Sequence, residues 1–393
     1  MSKQGVFLLF ALLAAAGCAT APKPEEHAVT IGGLHGGEPE APVVPVPPST
    51  PPPLPAASSN ATASRTNSFF EEWISLDDWS RENGAFPIQR IASSPTPEFA
   101  LTSSNGVLVV RAGSLVANWR GLEFYLGFAP RMVGTGLYMH ELDLRKNVEP
   151  LLRPAAQPVL ERRVIVIDPG HGGQNRGASN VVDGLDEKVF TLDWARRLAP
   201  LLAAEGWQVF LTRSNDADVP LAGRVAIADE RKADLFVSLH FNAPGVSQSG
   251  IETYCLTPVG MHSTLTRDYA DDITHTYANN SFDEQNIAYA FRLHEAILRV
   301  TGAADHGIRR ARFMTVLREQ ARPAVLIEGG YLSNPREARR IAEPAYREKL
   351  AEAVAQALAR PAGMAAPQVG PGLKVNFGDE GARSSNISTN GEN

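Results

Sequence analysis

The chain has 393 residues, of which 44% are hydrophobic and 20% charged, so most of it has the composition of a globular protein. The net charge is −6 and no dense run of Lys or Arg occurs, which argues against nucleic-acid binding. Only two cysteines occur, Cys18 and Cys255, which excludes a disulfide framework and a zinc-finger type of thiolate site.

The N-terminus has the pattern of an export signal. Lys3 precedes an apolar run over residues 6–16, which is shorter than the roughly 20 residues that span a bilayer. Small residues then lead to Cys18, and this resembles a bacterial lipoprotein cleavage site, at which the cysteine becomes lipidated. We therefore expect a lipoprotein signal peptide over residues 1–18; the alternative is an ordinary signal peptide cut near Ala16.

Residues 19–65 are rich in Pro, Ala, Ser and Glu, a composition that favours extended, solvated chain and indicates a spacer. Residues 362–393 are rich in Gly, Ser and Asn and are expected to be disordered.

Ala19 after the cysteine favours anchoring to an outer membrane, so the expected location is periplasmic and lipid-anchored.

Residues 66–155 have globular composition and predict a small N-terminal accessory domain. Residues 106–111 and 114–119 read as two strands of a hairpin. The segments 109–114 and 126–130 resemble the copper-amine-oxidase-like N-terminal domain, a small α/β module; the resemblance implies no copper chemistry. Its aromatic residues are interpreted as core, although glycan binding is an alternative.

Residues 160–361 alternate apolar strand-like runs with helical spacing. Strands are predicted at residues 164–168, 207–211, 235–239, 250–256 and 324–328, and helices at residues 187–202, 221–231, 287–300 and 346–359. This alternation predicts an α/β fold with a mostly parallel, mixed sheet flanked by helices on both faces, of the phosphorylase/hydrolase-like kind, preceded by the small α/β domain.

Polar side chains stand where the predicted strands end. His171 follows the first strand in a glycine-rich turn, His240 ends the third, and Glu328 ends the last strand before Gly-Gly. Glu187 opens the first helix. Functional sites in open α/β sheets gather at the carboxyl ends of strands, so these groups are candidates for one site.

Two histidines and a carboxylate form a recurrent ligand set for hydrolytic zinc, and a further carboxylate is needed to move protons. Structural explanations exist for each group. A strand-end His is often structural, and a Glu at a helix start favours the helix dipole. Asp168 could simply form a turn. Glu328 could pair with Arg309 or Arg310.

Seven motifs occur in the order found in one family. The first motif is residues 165–173 together with 177–178, and the fourth is residue 221 together with residue 224. The other five are residues 187–188, 211–213, 233–243, 250–254 and 323–334. With these motifs, residues 164–361 resemble the catalytic domain of zinc-dependent type 3 N-acetylmuramoyl-L-alanine amidases. The chain departs from the family pattern at Asn175-Arg176, where Asp-Pro is common, and at Tyr331, where Phe is usual. Between Thr257 and Asn286 it lacks a long inhibitory helix.

The resemblance implies one zinc ion per chain, held by His171, Glu187 and His240, with Glu328 as the catalytic carboxylate. Asn242 could help to orient the substrate or the loop that carries His240. Arg213 and Arg224 are weaker candidates for substrate binding or structural support.

The resulting hypothesis is a peptidoglycan hydrolase that cuts the amide between N-acetylmuramoyl and L-alanine, in wall remodelling, daughter-cell separation or recycling. The expected partners are peptidoglycan and, through lipidated Cys18, a membrane. The sequence does not indicate whether a regulatory protein also binds. Two alternatives remain: another exported zinc peptidase acting on wall peptides, and a non-catalytic wall-binding lipoprotein.

Overall fold

A computed structural model describes residues 72–153, 163–265 and 271–359. The predicted signal peptide, spacer and C-terminal tail lie outside the described residues. Within the described ranges, no helix combines the length and apolar character needed to cross a membrane.

Fourteen strands are found in the described residues. They are β1 (Trp73–Ser75), β2 (Gln89–Ala92), β3 (Glu98–Ser103), β4 (Gly106–Arg111), β5 (Val116–Trp119), β6 (Leu122–Tyr125), β7 (Arg131–Val133), β8 (Gly136–His140), β9 (Val164–Pro169), β10 (Gln208–Leu211), β11 (Leu235–Asn242), β12 (Ile251–Cys255), β13 (Asp305–Arg310) and β14 (Ala324–Tyr331). Strands β1, β8 and β7 form a small sheet. The other eleven form one sheet in the order β10-β9-β11-β14-β12-β13-β6-β5-β4-β3-β2.

The α-helices of the described residues are α1 (Leu76–Glu82), α2 (Glu141–Asp143), α3 (Glu149–Leu152), α4 (Glu187–Ala204), α5 (Leu221–Glu230), α6 (Asp283–Thr301), α7 (Thr315–Arg318), α8 (Pro335–Ala342) and α9 (Pro344–Ala357). A π-helical turn, Leu144–Val148, joins α2 to α3, and a 3-10 turn, Ala278–Phe282, precedes α6.

The centre of the large sheet is buried on both faces. Strands β10, β9, β11 and β14 run parallel, and β12 is antiparallel to β14. In β9, Ile165 and Ile167 pack with α4, α6 and α9, whereas Val164 and Val166 pack with α5 and α7. A strand covered on both faces has no polar side, which explains the uninterrupted apolar run in its sequence. The predicted α/β class, with a mixed sheet between helices, is confirmed.

The accessory segment extends this same sheet. Strands β2 to β6 are joined by antiparallel pairing, and β6 then runs parallel beside β13. One apolar core contains side chains from both segments, and Phe124 of β6 meets Phe291 of α6 edge-on at 5.3 Å between ring centroids. The accessory aromatics Trp79, Trp119 and Phe124 are buried in this core.

Several elements lack a counterpart in the sequence prediction, and two of them, β13 and α8, lie in the catalytic segment. Strand β13 has the sequence Asp-His-Gly-Ile-Arg-Arg, which contains one apolar side chain and no alternation. Helix α8 begins at Pro335, and the side chain of Asn334 accepts hydrogen bonds from the backbone N–H groups of Arg336 and Glu337. An Asn cap followed by Pro is a helix-start signal that could have identified it.

Candidate metal centre and its surroundings

Three side chains converge at the carboxyl edge of the parallel strands. His171 follows β9, Glu187 begins α4 and His240 lies near the end of β11. One ligand atom from each lies within 4.8 Å of the others. The Glu187 carboxylate lies between the two rings, with Oε2 at 3.0 Å from Nε2 of His171 and Oε1 at 3.0 Å from Nδ1 of His240. Chain folding therefore brings together three groups separated in sequence.

Backbone donors hold the Glu187 carboxylate in place. The N–H of Ala178 donates to Oε2 and the N–H of Phe241 donates to Oε1, both at 3.0 Å. Burial alone would raise the pKa of Glu187, but His171 and His240 hold the pKa well below its usual range. The group is therefore an anion at neutral pH and presents negative charge to the space between the imidazoles.

The turn after β9 sets the orientation of His171. Its φ of 62° lies in the left-handed region, which few non-glycine residues adopt. Nδ1 lies 2.7 Å from Oδ1 of Asn175, so we assign the proton to Nδ1 and the lone pair to Nε2. Nε2 is buried and makes no hydrogen bond to any described residue. Burial would lower the pKa of His171, but Glu187 raises it, so the pair attracts a cation.

Two glycines leave room for these side chains. A Cβ at Gly177 would lie 2.6 Å from Oε2 of Glu187 and 2.7 Å from Cδ2 of His171. A Cβ at Gly170 would lie 2.3 Å from Cε1 of His240. A Cβ does not approach a nonbonded heavy atom this closely, so both positions require glycine for the side chains to keep this arrangement.

The donor set fits a divalent metal ion. Two imidazole nitrogens and one carboxylate oxygen suit Zn²⁺, and such sites keep a further position for water or substrate. Burial lowers the pKa of His240, which favours the neutral ring that binds metals. The Asn175 contact to His171 is the type of outer hydrogen bond that fixes a ligand ring.

Arg213 and Arg224 support the turn that carries His171. Arg224 pairs with buried Asp168 at 2.6 Å and donates to the carbonyl of His171 at 2.8 Å. Arg213 donates to the carbonyls of Pro169 and Gly170. Burial and the neighbouring Arg224 lower the pKa of Arg213 to about 10. Both arginines thus have the contacts expected of structural supports, and Asp168 is an ion-pair partner as well as a turn residue.

Glu328 lies beside this group, on the adjacent strand. It is the register partner of His240 between β14 and β11, and it is buried. The two arginines considered as its partners have other contacts. Arg309 pairs with Glu252 at 2.9 Å, and Arg310 donates to the side chain of Asn147 at 2.8 Å.

Asn242, which follows His240 by two residues, donates to Oε2 of Glu252 at 2.6 Å. Glu252, His306 and Tyr331 form a further polar cluster beside Glu328 that the sequence prediction did not assign to the site. Their signal is weak, because Glu252 lies inside an otherwise uncharged strand and His306 inside the strand that was not predicted.

The chain is similar in sequence to proteins of one known family. Residues 165–360 match the family model described as N-acetylmuramoyl-L-alanine amidase. The chain is 36% identical over 198 residues to the Bacillus licheniformis N-acetylmuramoyl-L-alanine amidase CwlM, covering 50% of this chain and 67% of that protein. It is 30% identical over 238 residues to the amidase AmiA of Escherichia coli K12, covering 54% of this chain and 81% of that protein.

The match to the amidase AmiC of Neisseria meningitidis serogroup B has 32% identity over 243 residues and covers 56% of this chain, but spans only 57% of that protein's length. Among solved structures, an N-acetylmuramoyl-L-alanine amidase from Clostridium difficile 630 aligns with 30% identity and a TM-score of 0.42, covering 51% of this chain and 96% of that one. By its sequence relatives, the chain belongs to the N-acetylmuramoyl-L-alanine amidase family.

Proposed function

We propose that this protein is a zinc-dependent peptidoglycan hydrolase that cleaves the amide bond between the lactyl group of N-acetylmuramic acid and L-alanine. The observation that carries the proposal is the buried His171–Glu187–His240 group, with Glu328 on the neighbouring strand, in a chain of the amidase family. Zinc dependence is the family's general property, and the three side chains form a suitable donor set.

His171, Glu187 and His240 would hold one zinc ion, which polarises a carbonyl and increases the acidity of water. Glu328 would take a proton from the attacking water and give it to the leaving amine of L-alanine. Its place beside His240 in the sheet keeps it close to the metal ligands while α4 supplies Glu187 from another direction. Asn242, held by Glu252, would help to orient the substrate.

Product analysis tests the reaction. Purified protein is incubated with peptidoglycan, and the soluble fragments are identified by mass spectrometry. We expect free stem peptides that begin with L-alanine and glycan strands that keep the lactyl group. Cleavage inside the stem peptide would instead support the alternative zinc peptidase, and the absence of any cleavage by zinc-loaded protein would support a non-catalytic wall-binding protein.

Metal analysis tests the ligand set separately. We expect one zinc ion per purified chain, and loss of that zinc in His171→Ala and in His240→Ala. His275→Ala is the matched control, because this exposed histidine lies outside the group. Full zinc retention in both ligand variants would remove the assignment, whatever the activity.

We propose that Cys18 carries the lipid anchor and that residues 19–65 act as the spacer of a periplasmic, outer-membrane lipoprotein. The lipoprotein-like sequence before Cys18 supports this. We expect Cys18→Ala to release soluble protein or to block processing. Unchanged membrane fractionation would favour the ordinary signal peptide.

The accessory segment is proposed to be a module of the copper-amine-oxidase-like kind, on the sequence resemblance at residues 109–114 and 126–130. Trp79, Trp119 and Phe124 are buried, which supports a structural role for these aromatic side chains and not a role in glycan binding.

A further inference from the structure

The carboxylate of Glu252 is the centre of a second polar cluster beside Glu328. The two glutamates are register partners between antiparallel strands β12 and β14, so their side chains emerge on the same face of the sheet. Asn242 and Tyr254 donate to Glu252, and Arg309 pairs with it at 2.9 Å. Glu252 is therefore neutralised where it lies next to another carboxylate.

His306 contacts this cluster from β13. Its Nδ1 lies 3.0 Å from Oε1 of Glu252 and 2.6 Å from the hydroxyl oxygen of Tyr331. Two oxygen atoms thus fix the Nδ1 edge of the ring. The His306 side chain is 30% exposed, whereas the Glu252 side chain is 4% exposed. Both of these contacts are made by Nδ1, so neither of them uses Nε2, the other ring nitrogen.

The strand order places His306 on one side of the proposed reaction centre. In the sequence β9-β11-β14-β12-β13, Glu328 of β14 lies between His240 of β11 and Glu252 of β12. The metal-binding group is on the β9 and β11 side, and His306 is on the β13 side. A substrate whose scissile amide lies at Glu328 has a glycan part and a peptide part, and these extend from the amide in different directions.

We propose that His306 is a substrate-positioning residue, whose Nε2 hydrogen-bonds to a polar group of peptidoglycan next to the scissile amide while Glu252 and Tyr331 orient the ring. This rests on the proposed amidase function. We assign the ring proton to Nδ1, which faces Glu252; Nε2 is then an acceptor, so its partner is an N–H or O–H of the substrate. Peptide amides and sugar hydroxyls both supply such donors.

Steady-state kinetics on a soluble N-acetylmuramoyl-peptide test the proposal. For His306→Ala we expect KM to rise about three- to tenfold, the equivalent of one lost hydrogen bond, with kcat within about twofold of wild type. Zinc content and melting temperature should not change. His306→Gln, which restores an acceptor oxygen, should recover part of the loss. His262→Ala is the matched control, because this exposed histidine lies in the loop after β12 and outside the cluster.

The orienting role is tested by a double-mutant cycle. Tyr331→Phe keeps the ring and removes the hydroxyl, so we expect a KM increase of about two- to threefold in the wild-type background. The same substitution should have no further effect in His306→Ala, because the ring it orients is gone. Equal effects in both backgrounds would show that Tyr331 acts independently of His306.

Two further outcomes separate the hypotheses. An unchanged KM in His306→Ala, with an active wild-type enzyme, overturns this inference and leaves the amidase function intact. An inactive wild-type enzyme on the same substrate contradicts the amidase function itself.

If the His306→Ala effect disappears on a lactoyl-peptide without the sugar, the contact is to the sugar; if it persists, the contact is to the peptide.

Discussion

The parallel and antiparallel halves of the large sheet differ in how their strands are buried and in which side chains they bring together. In the parallel half, β9, β11 and β14 are covered on both faces, and their carboxyl ends bring His171, His240 and Glu328 to one edge. In the antiparallel half, strands β4 and β5 bury one face only. Leu108 and Ala117 are buried, whereas their chain neighbours Val107 and Val116 are exposed.

The difference follows from strand direction. Parallel strands all end at the same edge, so groups placed after each strand meet there. Antiparallel strands end alternately at opposite edges, so the same arrangement would scatter such groups. The accessory strands accordingly contribute apolar side chains to the core and extend the sheet beyond β13. The catalytic strands contribute the polar groups of the site.

The largest difference between the halves is expected from neutralising one glutamate in each. Glu328→Gln should reduce wall-amide cleavage at least about a hundredfold, because general acid–base catalysis contributes about 10²–10⁴-fold. Zinc content and melting temperature should stay near wild type. Glu98→Gln is the control in the antiparallel half, where Glu98 pairs with Arg111, and should keep activity within about twofold. A Glu328→Gln enzyme that keeps its turnover but melts earlier would assign Glu328 a structural role.

Asp168→Asn should be the most destabilising change in the parallel half. It leaves the guanidinium of Arg224 buried without a charged partner, and breaking a buried pair costs about 3–5 kcal/mol. Urea unfolding at pH 7 measures this. Arg145→Gln, an exposed cation beside Glu141, is the control and should change the free energy of unfolding by less than about 0.5 kcal/mol. A loss below about 1 kcal/mol for Asp168→Asn would contradict the prediction.

From the pKa of Asp168 we also predict how the stability of the protein depends on pH. Burial would raise the pKa of Asp168, but Arg224, Thr212 and Ser238 hold the pKa below its usual value. Since the unfolded chain then binds the proton more readily, the stabilisation is present above about pH 4 and is lost as the pH falls. Stability curves should fall less steeply below about pH 4 for Asp168→Asn than for wild type. If the stability of both proteins fell equally steeply with pH, groups other than Asp168 would cause the loss of stability in acid.

Leu101→Ala tests whether the halves unfold together. Leu101 is fully buried in β3, and removing it should cost about 2–4 kcal/mol. Because one core contains side chains from both segments, we expect a single transition shifted to lower urea, with zinc release at the same midpoint. Release of zinc at an unshifted midpoint would show that the halves unfold separately.

The smallest effect is expected where the halves meet. Arg309 donates to the hydroxyl of Tyr125 at 3.1 Å, and that hydroxyl donates to Glu123 at 3.1 Å. Tyr125→Phe should lower the free energy of unfolding by about 0.5–1.5 kcal/mol, with kcat unchanged. Tyr138→Phe, in the small sheet, serves as the comparison away from this border. A fall in kcat for Tyr125→Phe would show that the accessory segment reaches the reaction centre.

The catalytic strands and the position of the candidate site could be predicted because both depend on local patterns. The run before Asp168 is apolar on both faces, and the glycine-rich turn after it leaves space around His171. Residues 106–111 and 114–119 were predicted as the two strands of a hairpin around Ala112-Gly113, and the structure has strands at Gly106–Arg111 and Val116–Trp119. Each of these signals lies within a few residues of the element that it specifies.

The remaining features depend on pairing between distant residues. Strand β13 is charged and becomes a strand only because β12 and β6 pair with it on either side. The role of Glu252 depends on Arg309 and His306, which lie on another strand. No local pattern around Glu252 specifies these partners, so the second polar cluster became visible only in the folded structure.

The border between β6 and β13 also constrains the order of folding. The backbone N–H of Glu123 donates to a carboxylate oxygen of Asp305, 182 positions further along the chain. Contacts of such long sequence separation form slowly, because the intervening chain must first be ordered. The accessory strands precede the catalytic strands in synthesis, yet β6 can pair with β13 only after the chain has been made as far as Arg310.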